Sequence, residues 1–245
     1  MSDLWKRLRF VLGCIIVYRI GTHIPIPGID PVRVSSLFDQ NQGTILELFN
    51  LFSGGALERM SIFALNVVPY ISAAIIMQLF SNAIPYLIEL KKEGQAGRNA
   101  ITQYTRYGTV ALAFVQASAL AVTLSSSGLA YNPGTSFFVT AVFTVVAGTV
   151  FLMWLGEQIS ERGIGNGISI IIATSILTGI PGAIGQALEQ ARQGDLNILM
   201  LLSIGVLAMV VIAIVVFIER GQRRITVNYA QRQQGRRLMQ APVSY

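Results

Sequence analysis

The chain has 245 residues, of which 53% are hydrophobic and 12% are charged, and its mean hydropathy is +0.58. Soluble domains carry about 25% charged residues, so this composition excludes an ordinary soluble domain and indicates an integral membrane protein. The net charge of +6 is compatible with nucleic-acid binding or with membrane topology, and the positions of the basic residues must decide between them.

Six segments are predicted to cross the membrane, which makes the expected fold class all-α and polytopic. Each segment is close to the roughly 20 residues that a helix needs to cross about 30 Å of hydrocarbon. Four of the segments are uncharged runs, and the other two contain glycine, proline or a charge. The uncharged runs are 61–80, 107–129, 137–155 and 198–218, and the others are 8–26 and 168–188.

The first span carries Arg19 near its middle. A charge at that depth costs about 2.5–3.5 kcal/mol on insertion scales, so the side chain must snorkel outward or face the protein interior. We expect Arg19 to have a structural role rather than to contact a substrate. The single cysteine, Cys14, lies in the same span and has no partner in the chain for a disulfide.

Residues 45–52 carry an apolar helical stripe that ends at Gly54 and Gly55. A helix of this length is roughly 12 Å long, too short to span, and it includes the polar residues Glu47 and Asn50. Broken helix at membrane depth is tolerated only inside protein or beside a water-filled cavity. We therefore predict a re-entrant half-helix, a hinge, and then the span at 61–80. The alternative is an amphipathic helix on the membrane surface.

The basic residues divide unequally between alternate loops. If the N-terminus is inside, 14 of the 18 Lys and Arg residues fall on inner segments. The positive-inside rule then places both ends in the cytoplasm and requires an even number of spans. A half-helix at 45–52 satisfies this count, whereas a full crossing there does not.

Two polar segments connect predicted spans on the inner side. Residues 89–106 are mixed in charge and are predicted to form an internal loop. Residues 163–167 (GIGNG) resemble a phosphate-binding loop, but no strand precedes them and no Lys-Ser/Thr pair follows. A tight loop between two helices is the preferred interpretation.

Residues 221–237 form a basic arm after the last span. Ile225, Val227 and Tyr229 alternate between arginine pairs, which predicts a strand or hairpin rather than an amphipathic helix. The excess of arginine is typical of an anion-binding projection, which would dock either on an RNA backbone or on an acidic protein face.

Enzymatic chemistry is not predicted. The chain has one histidine, His23, and one cysteine, which argues against a metal site. It contains neither a nucleophile motif nor a Walker motif, and the span centres carry no acidic pair. We therefore expect neither catalytic residues nor a cofactor.

Two apolar pairs are spaced to share a helix face: Val67 with Ile71, and Ile172 with Ile176. Side chains that are β-branched are stiff, so a ring of them is suited to a narrow seal that gates by dewetting. Side chains that face lipid have the same spacing, and from spacing alone that simpler interpretation is favoured.

Six motifs occur in order along the chain and together resemble the SecY family, the pore subunits of the bacterial Sec protein-translocation channel. The motifs are PIPGID (25–30), FSGGAL (52–57), KKEG (91–94), QYTRYG (103–108), ERGIGNGIS (161–169) and RQQGRR (232–237). The resemblance implies a SecY-like helical bundle, of which this chain holds the first half plus one span. Residues 1–188 correspond to the five-span half, 189–218 to an outer loop and sixth span, and 219–245 to a basic cytoplasmic arm.

The resemblance also implies a function and a set of site residues. The protein is expected to conduct unfolded preproteins across the cytoplasmic (inner) membrane and to insert membrane segments into it. A plug at 45–59 would include Ile45, Leu48, Phe49, Phe52, Gly54 and Gly55. The pore ring would contain Val67, Ile71, Ile172 and Ile176, and the lateral gate Ser72, Ile75 and Gln78. The docking arm would use Arg223, Arg224, Arg232, Arg236 and Arg237.

The partners implied by the resemblance are SecE and SecG, the ribosome with its rRNA or the motor SecA, a signal sequence or nascent polypeptide, and membrane lipid. One departure is Asn66, where the family usually has glycine. Asn66 would lie next to the seal, and our hypothesis is that its polar amide wets the seal or loosens the plug.

Two other functions compete with the channel. Half of a small-solute transporter would show a compact polar site at mid-membrane. An interaction subunit without a conduit would have a fully helical, lipid-buried stretch over residues 43–80.

Overall fold

The structure is a computed structural model that describes residues 2–30, 33–36, 50, 53–193, 198–221, 233–234 and 237–238. The chain divides into two compact units, residues 1–183 and 184–245. The described residues form seven long or medium helices and one short β-ladder. These are α1 (Ser2–Gly21), α2 (Val68–Ala83), α3 (Pro85–Lys92), α4 (Gln95–Ser126), α5 (Thr135–Arg162), α6 (Gly167–Gln193), α7 (Ile198–Glu219), β1 (Gln233–Gln234) and β2 (Arg237–Leu238).

Helices occupy all six segments that were predicted to span. Within the described ranges, three helices are long and apolar enough to cross a membrane: Gln95–Ser126, Thr135–Arg162 and Leu202–Glu219. The pair α2 and α3 makes a fourth if it is one span bent by 94°. Helix α6, whose apolar part is Gly167–Gly182, covers the predicted segment 168–188. The charged helix α1 covers the segment 8–26 only as far as Gly21. The prediction of an all-α polytopic membrane protein is confirmed.

The predicted span at 61–80 begins seven residues late. Residues 62–67 form turns, and the helix starts only at Val68. Met60 and Asn66 have φ angles of 42° and 51°, a left-handed conformation that an α-helix cannot contain. An interaction subunit without a conduit would have a continuous helix over residues 43–80. That alternative is wrong, because the helix is broken at residues 62–67.

Residues 89–106 are mostly helical, which corrects the predicted polar loop. Helix α3 begins at Pro85, and α4 begins at Gln95. Only Glu93 and Gly94 separate the two helices, and Gly94 has a φ of 76°. Charge indicated water exposure correctly, but exposed charged residues are also good helix formers. The outer loop that was expected to begin at residue 189 is likewise shortened, because α6 continues to Gln193.

Helix α4 packs through a stripe of small side chains repeated every fourth residue. Small residues let neighbouring helix backbones approach closely in a membrane protein. The two threonines in the stripe donate their hydroxyls to carbonyls of their own helix, at Ile101 and Thr105, so they bring no unpaired polar atom into the interface. The stripe consists of Thr105, Thr109, Ala113, Ala117 and Ala121.

Two apolar clusters form the core of the first unit. One joins the turn after α1 to α4 and α5 through residues such as Ile26, Ala121 and Phe137. The other joins α1, the 62–67 turns, α5 and α6. Its buried members are Val11, Cys14, Tyr18, Phe63, Val67, Leu152, Leu155, Ile159 and Ile171.

The glycine loop at 163–167 is a tight connection between α5 and α6, as predicted. A Cβ atom on Gly167 would collide with the carbonyl of Gly156 and lie 2.8 Å from Cβ of Ile159. Glycine is thus required at residue 167 by a close approach of two helix backbones.

The second unit contains the described part of the basic arm. There β1 and β2 pair antiparallel, with Gln233 opposite Leu238 and Gln234 opposite Arg237. The ladder shows antiparallel strand pairing at these four residues of the arm. The alternating residues Ile225, Val227 and Tyr229 lie outside the described residues.

Candidate functional site

A cavity of about 640 Å³ lies between α2, α4, α5 and α6. It has an apolar part at Ile71 and Ile172 and a polar part at Arg106 and Glu157. Its lining residues are Tyr70, Ile71, Ala74, Ile75, Gln78, Asn99, Thr102, Arg106, Glu157, Ser160, Glu161, Asn166, Ile168, Ser169 and Ile172. The cavity therefore brings together predicted ring and gate residues from helices that are about 100 residues apart in sequence.

Arg106 and Glu157 form a two-pronged ion pair on the cavity wall. The Arg106 Nε and Nη2 atoms donate to the two carboxylate oxygens of Glu157 at 2.7 and 2.8 Å. This geometry is the strong, orientation-specific form of a carboxylate–guanidinium contact. It ties α4 to α5 and fixes a polar edge beside Tyr70.

Sequence reasoning missed this ion pair. Arg106 was counted among the inner basic residues and was not singled out. The available signal was the position of Arg106 next to a long apolar run, because a charge there must find a partner or reach water.

The predicted ring residues are partly brought together. Val67 is 2% exposed and belongs to the second core cluster, against which Ile71 and Ile172 pack. Ile176, one turn further along α6, is half-buried. Three of the four thus share one apolar cluster, and Ile71 and Ile172 also line the cavity.

The predicted gate residues lie along one side of α2. Ile75 is 53% exposed, Gln78 is exposed and Ser72 is half-buried. Ile75 and Gln78 line the cavity, whereas Ser72 does not. The open side of the cavity therefore runs along the helix that was predicted to carry the gate.

Four predicted plug residues, Ile45, Leu48, Phe49 and Phe52, lie outside the described residues. The hinge after them is described: Gly54 and Gly55 have φ angles of 65° and 80°, which ends any helix at this point as predicted. A Cβ atom on Gly54 would lie 3.0 Å from the Ser175 carbonyl oxygen and 3.0 Å from Thr178 Oγ1. The hinge is therefore seated directly on α6.

The segment after the hinge is also held by the end of α1 and the turn that follows it. The Ile26 amide donates to the Met60 carbonyl at 2.8 Å, and the Ile62 amide donates to the Ile24 carbonyl at 2.9 Å. Arg19 Nη1 donates to the Gly54 carbonyl at 3.2 Å. This contact agrees with the structural role expected for Arg19.

Four buried polar residues meet beneath the hinge: Tyr18, Ser53, Asn66 and Ser175. The Tyr18 hydroxyl lies 2.6 Å from Ser175 Oγ and donates to the Ser53 carbonyl at 3.3 Å. Asn66 Nδ2 donates to Ser175 Oγ at 3.3 Å. Sequence reasoning singled out only Asn66 here, because nothing local marks a serine and a tyrosine that are 157 residues apart.

Of the five predicted docking arginines, the structure describes one. Arg237 is in β2, and Arg223, Arg224, Arg232 and Arg236 lie outside the described residues. In the described ranges, no group of three or more His, Cys, Asp or Glu side chains is placed to hold a metal ion.

Comparison of the fold with solved structures defines the class of protein. The chain superposes with a TM-score of 0.66 on "The structure of a protein conducting channel", at 20% identity, covering 91% of this chain and 49% of the other. It matches "Sec61 in the Canine ribosome-channel complex from the endoplasmic reticulum" with a TM-score of 0.65, covering 93% and 50%. The fold therefore matches about half of each of these polytopic helical proteins.

Sequence comparison then gives the family. The SecY family model matches residues 61–244. The chain is 62% identical over its full length to the protein translocase subunit SecY of Pseudomonas aeruginosa, of which it covers 55%. It is 58% identical to the SecY of Escherichia coli strain K12, with 98% of the chain and 55% of that protein covered. The chain belongs to the SecY family, and it spans about half the length of these curated relatives.

Proposed function

We propose that the chain forms the first half of a protein-conducting channel that moves unfolded polypeptides across a membrane or sideways into it. The observation that carries the proposal is the junction of an open cavity with a tightly packed apolar cluster, at Ile71 and Ile172. A wide, partly polar space that narrows onto stiff apolar side chains is the shape expected of a vestibule above a seal.

The mechanism we propose is physical and involves no covalent step. Val67, Ile71, Ile172 and Ile176 contribute half of an apolar ring, whose dewetting resists ion flow. Residues 45–59 act as a plug whose hinge at Gly54 packs against α6, and Ser72, Ile75 and Gln78 line one side of a lateral gate. An inserted polypeptide displaces the plug and opens the gate. The chain is not itself an enzyme, so the energy comes from a partner.

The proposed surroundings follow from the charge distribution and the family. The protein lies in the cytoplasmic membrane with its N-terminus and basic arm inside. Residues 1–188 form the half-channel, 189–218 the outer loop and sixth span, and 219–245 the arm. SecE and SecG are the proposed membrane partners. The arm receives the ribosome or SecA through Arg223, Arg224, Arg232, Arg236 and Arg237.

Adjacent residues of α2 provide a sharp test of the vestibule. Gln78 lines the cavity, whereas Leu79 is 63% exposed and is not among the lining residues. In the assembled protein in native membranes, with Cys14 changed to Ser, a membrane-impermeant thiol reagent should label Gln78→Cys quickly. Leu79→Cys should label slowly, because lipid covers it.

The scan is then continued towards the proposed seal. Ala74→Cys should be labelled from the cavity side, and labelling should stop between Ile71→Cys and Val67→Cys. Equal labelling of Gln78→Cys and Leu79→Cys, or free labelling of Val67→Cys in the resting protein, would show that no sealed vestibule exists and would overturn the proposal.

A further inference from the structure

We propose that Asn66 is a positioning residue that holds the proposed plug closed, by completing a buried chain of hydrogen bonds through Ser175 and Tyr18 to the backbone of Ser53. This inference rests on the proposed function, because it assigns to the hinge at residues 53–55 a resting position that has to be released.

The chain of contacts connects three separate parts of the molecule. Asn66 precedes α2, Ser175 is in α6 and Tyr18 is in α1, and their exposures are 4%, 0% and 1%. The Asn66 amide donates to Ser175 Oγ at 3.3 Å, Ser175 Oγ lies 2.6 Å from the Tyr18 hydroxyl, and that hydroxyl reaches the Ser53 carbonyl at 3.3 Å. The carbonyl at its end belongs to the residue just before Gly54.

The direction of donation gives Asn66 its influence. Ser175 Oγ also lies 2.9 Å from the Ile171 carbonyl, so its single proton has two possible acceptors. When the Ser175 proton points to the Tyr18 hydroxyl, Tyr18 must donate its own proton to the Ser53 carbonyl. Donation by the Asn66 amide polarises the Ser175 hydroxyl and so strengthens the bond that this hydroxyl donates when its proton points to Tyr18, since hydrogen bonds in a chain reinforce one another.

The hinge also packs closely against the backbone of Ser175 in α6. A side chain on Gly54 would come within 3.0 Å of the Ser175 carbonyl oxygen, and Arg19 holds the Gly54 carbonyl at 3.2 Å. Lifting the plug therefore requires Ser53 and Gly54 to leave a site where both of their carbonyls are bonded to side chains of α1.

The backbone of Asn66 makes the inference testable with little strain. Its φ of 51° is a conformation that glycine adopts freely and asparagine tolerates. Asn66→Gly thus deletes the amide and leaves the turn intact. The hypothesis drawn from sequence, that the amide loosens the plug, predicts the opposite direction of change from the hydrogen-bond chain described here.

The experiment follows release of the plug with a thiol placed at Ala56, which is fully buried. In assembled protein in native membranes, with Cys14 changed to Ser, Ala56→Cys is labelled by an impermeant reagent from outside. Asn66→Gly, Tyr18→Phe and Ser175→Ala should each raise the labelling rate about fivefold, the factor expected for loss of one net hydrogen bond. The double variant Tyr18→Phe with Asn66→Gly should label at nearly the rate of either single variant, because both interrupt one chain.

The matched control is Thr109→Val. Thr109 is fully buried in α4, and its hydroxyl donates to the Thr105 carbonyl, so this variant also deletes one buried hydroxyl but leaves the hinge untouched. Its labelling rate should equal that of the parent. The inference would be overturned if Asn66→Gly left the labelling rate of Ala56→Cys unchanged or lowered it. It would also be overturned if the increases in rate in the two single variants multiplied in the double variant, or if Thr109→Val raised the rate equally.

The two proposals fail separately. If Gln78→Cys and Leu79→Cys label differently but Asn66→Gly leaves Ala56→Cys unchanged, the vestibule stands and the positioning role of Asn66 is wrong. If Asn66→Gly accelerates labelling while Gln78→Cys and Leu79→Cys label equally, the hydrogen bonds hold the segment but the segment closes no pore.

Discussion

At the scale of single residues, the molecule places its polar side chains where an apolar fold needs fixed geometry. Arg19 contacts the Gly54 carbonyl, and Arg106 contacts the Glu157 carboxylate. Both arginines adjoin or lie within apolar runs, where an unpaired charge is costly. Each is satisfied by a defined acceptor, so these charges stabilise particular contacts between helices.

The Arg106–Glu157 pair leads to a stability prediction. Glu157→Gln keeps the shape of the side chain and removes its charge, so the pair loses its electrostatic part. Arg106 is 43% exposed, and solvent screening limits the loss to about 0.5–1 kcal/mol. We expect the melting temperature in detergent to fall by about 1–3 °C, and by less at 1 M salt.

Asp3→Asn is the control for that measurement. The Asp3–Lys6 contact is 4.0 Å long and both side chains are at least 71% exposed, so its loss should leave the melting temperature unchanged. A fall in Asp3→Asn as large as that in Glu157→Gln would mean that net charge, rather than the α4–α5 contact, sets the difference.

At the scale of elements, the long uncharged runs were predictable and the breaks between them were only partly so. Helices α4, α5 and α7 follow from hydrophobicity over lengths that few other structures accommodate. The late start of α2 was not predicted, because Met60 carries no sequence signal for a left-handed backbone and a single asparagine, Asn66, is only a weak one. The helicity of 89–106 was missed because charge reports exposure, and helices also expose charge.

Close helix packing at the glycine loop gives the second prediction. Gly167→Ala should destabilise the protein by about 1–3 kcal/mol, since the added methyl group overpacks the contact with Gly156. The measurement is the thermal or denaturant midpoint of the purified protein.

Gly13→Ala is the matched substitution. Nothing lies within 4 Å of a Cβ at Gly13 in the described part of the chain, and alanine is favoured over glycine inside a helix by about 1 kcal/mol. Its midpoint should stay the same or rise. Equal losses in the two variants would show that the helix-to-helix approach at Gly167 is unimportant.

At the scale of the whole molecule, the family resemblance and the uneven distribution of charge predicted the architecture better than any local sequence pattern did. Spacing alone favoured lipid-facing side chains for Val67, Ile71, Ile172 and Ile176, yet Val67 is buried and two of the others line the cavity. Which helices adjoin a face depends on contacts between distant segments, and periodicity records only that a face exists.

The basic arm gives a prediction at this scale. If the arm docks on ribosomes as proposed, Arg236→Ala and Arg237→Ala should weaken that binding, because each removes a cation from the arm. If the arm contacts RNA phosphates, binding should fall steeply with salt, and each variant should reduce the slope of log K against log salt by about 1. Gln233→Ala, an uncharged change in β1, is the control.

A shallow salt slope that is unaltered in Arg236→Ala and Arg237→Ala would instead indicate an acidic, shape-specific protein surface. Binding by both arginine variants equal to that of the parent would exclude the arm as the docking element.

The abrupt end of α2 has a consequence for the surrounding lipid. Its 16 residues cover only about 24 Å, and Pro85 then turns the chain by 94° into the polar helix α3. If lipid contacts this face along its length, a bilayer with a hydrocarbon thickness of about 30 Å is too thick for it, and the acyl chains beside it should compress. The mismatch should therefore be smallest in membranes of short-chain lipids. Membrane thickness then becomes a determinant of how readily this face of α2 separates from its neighbours.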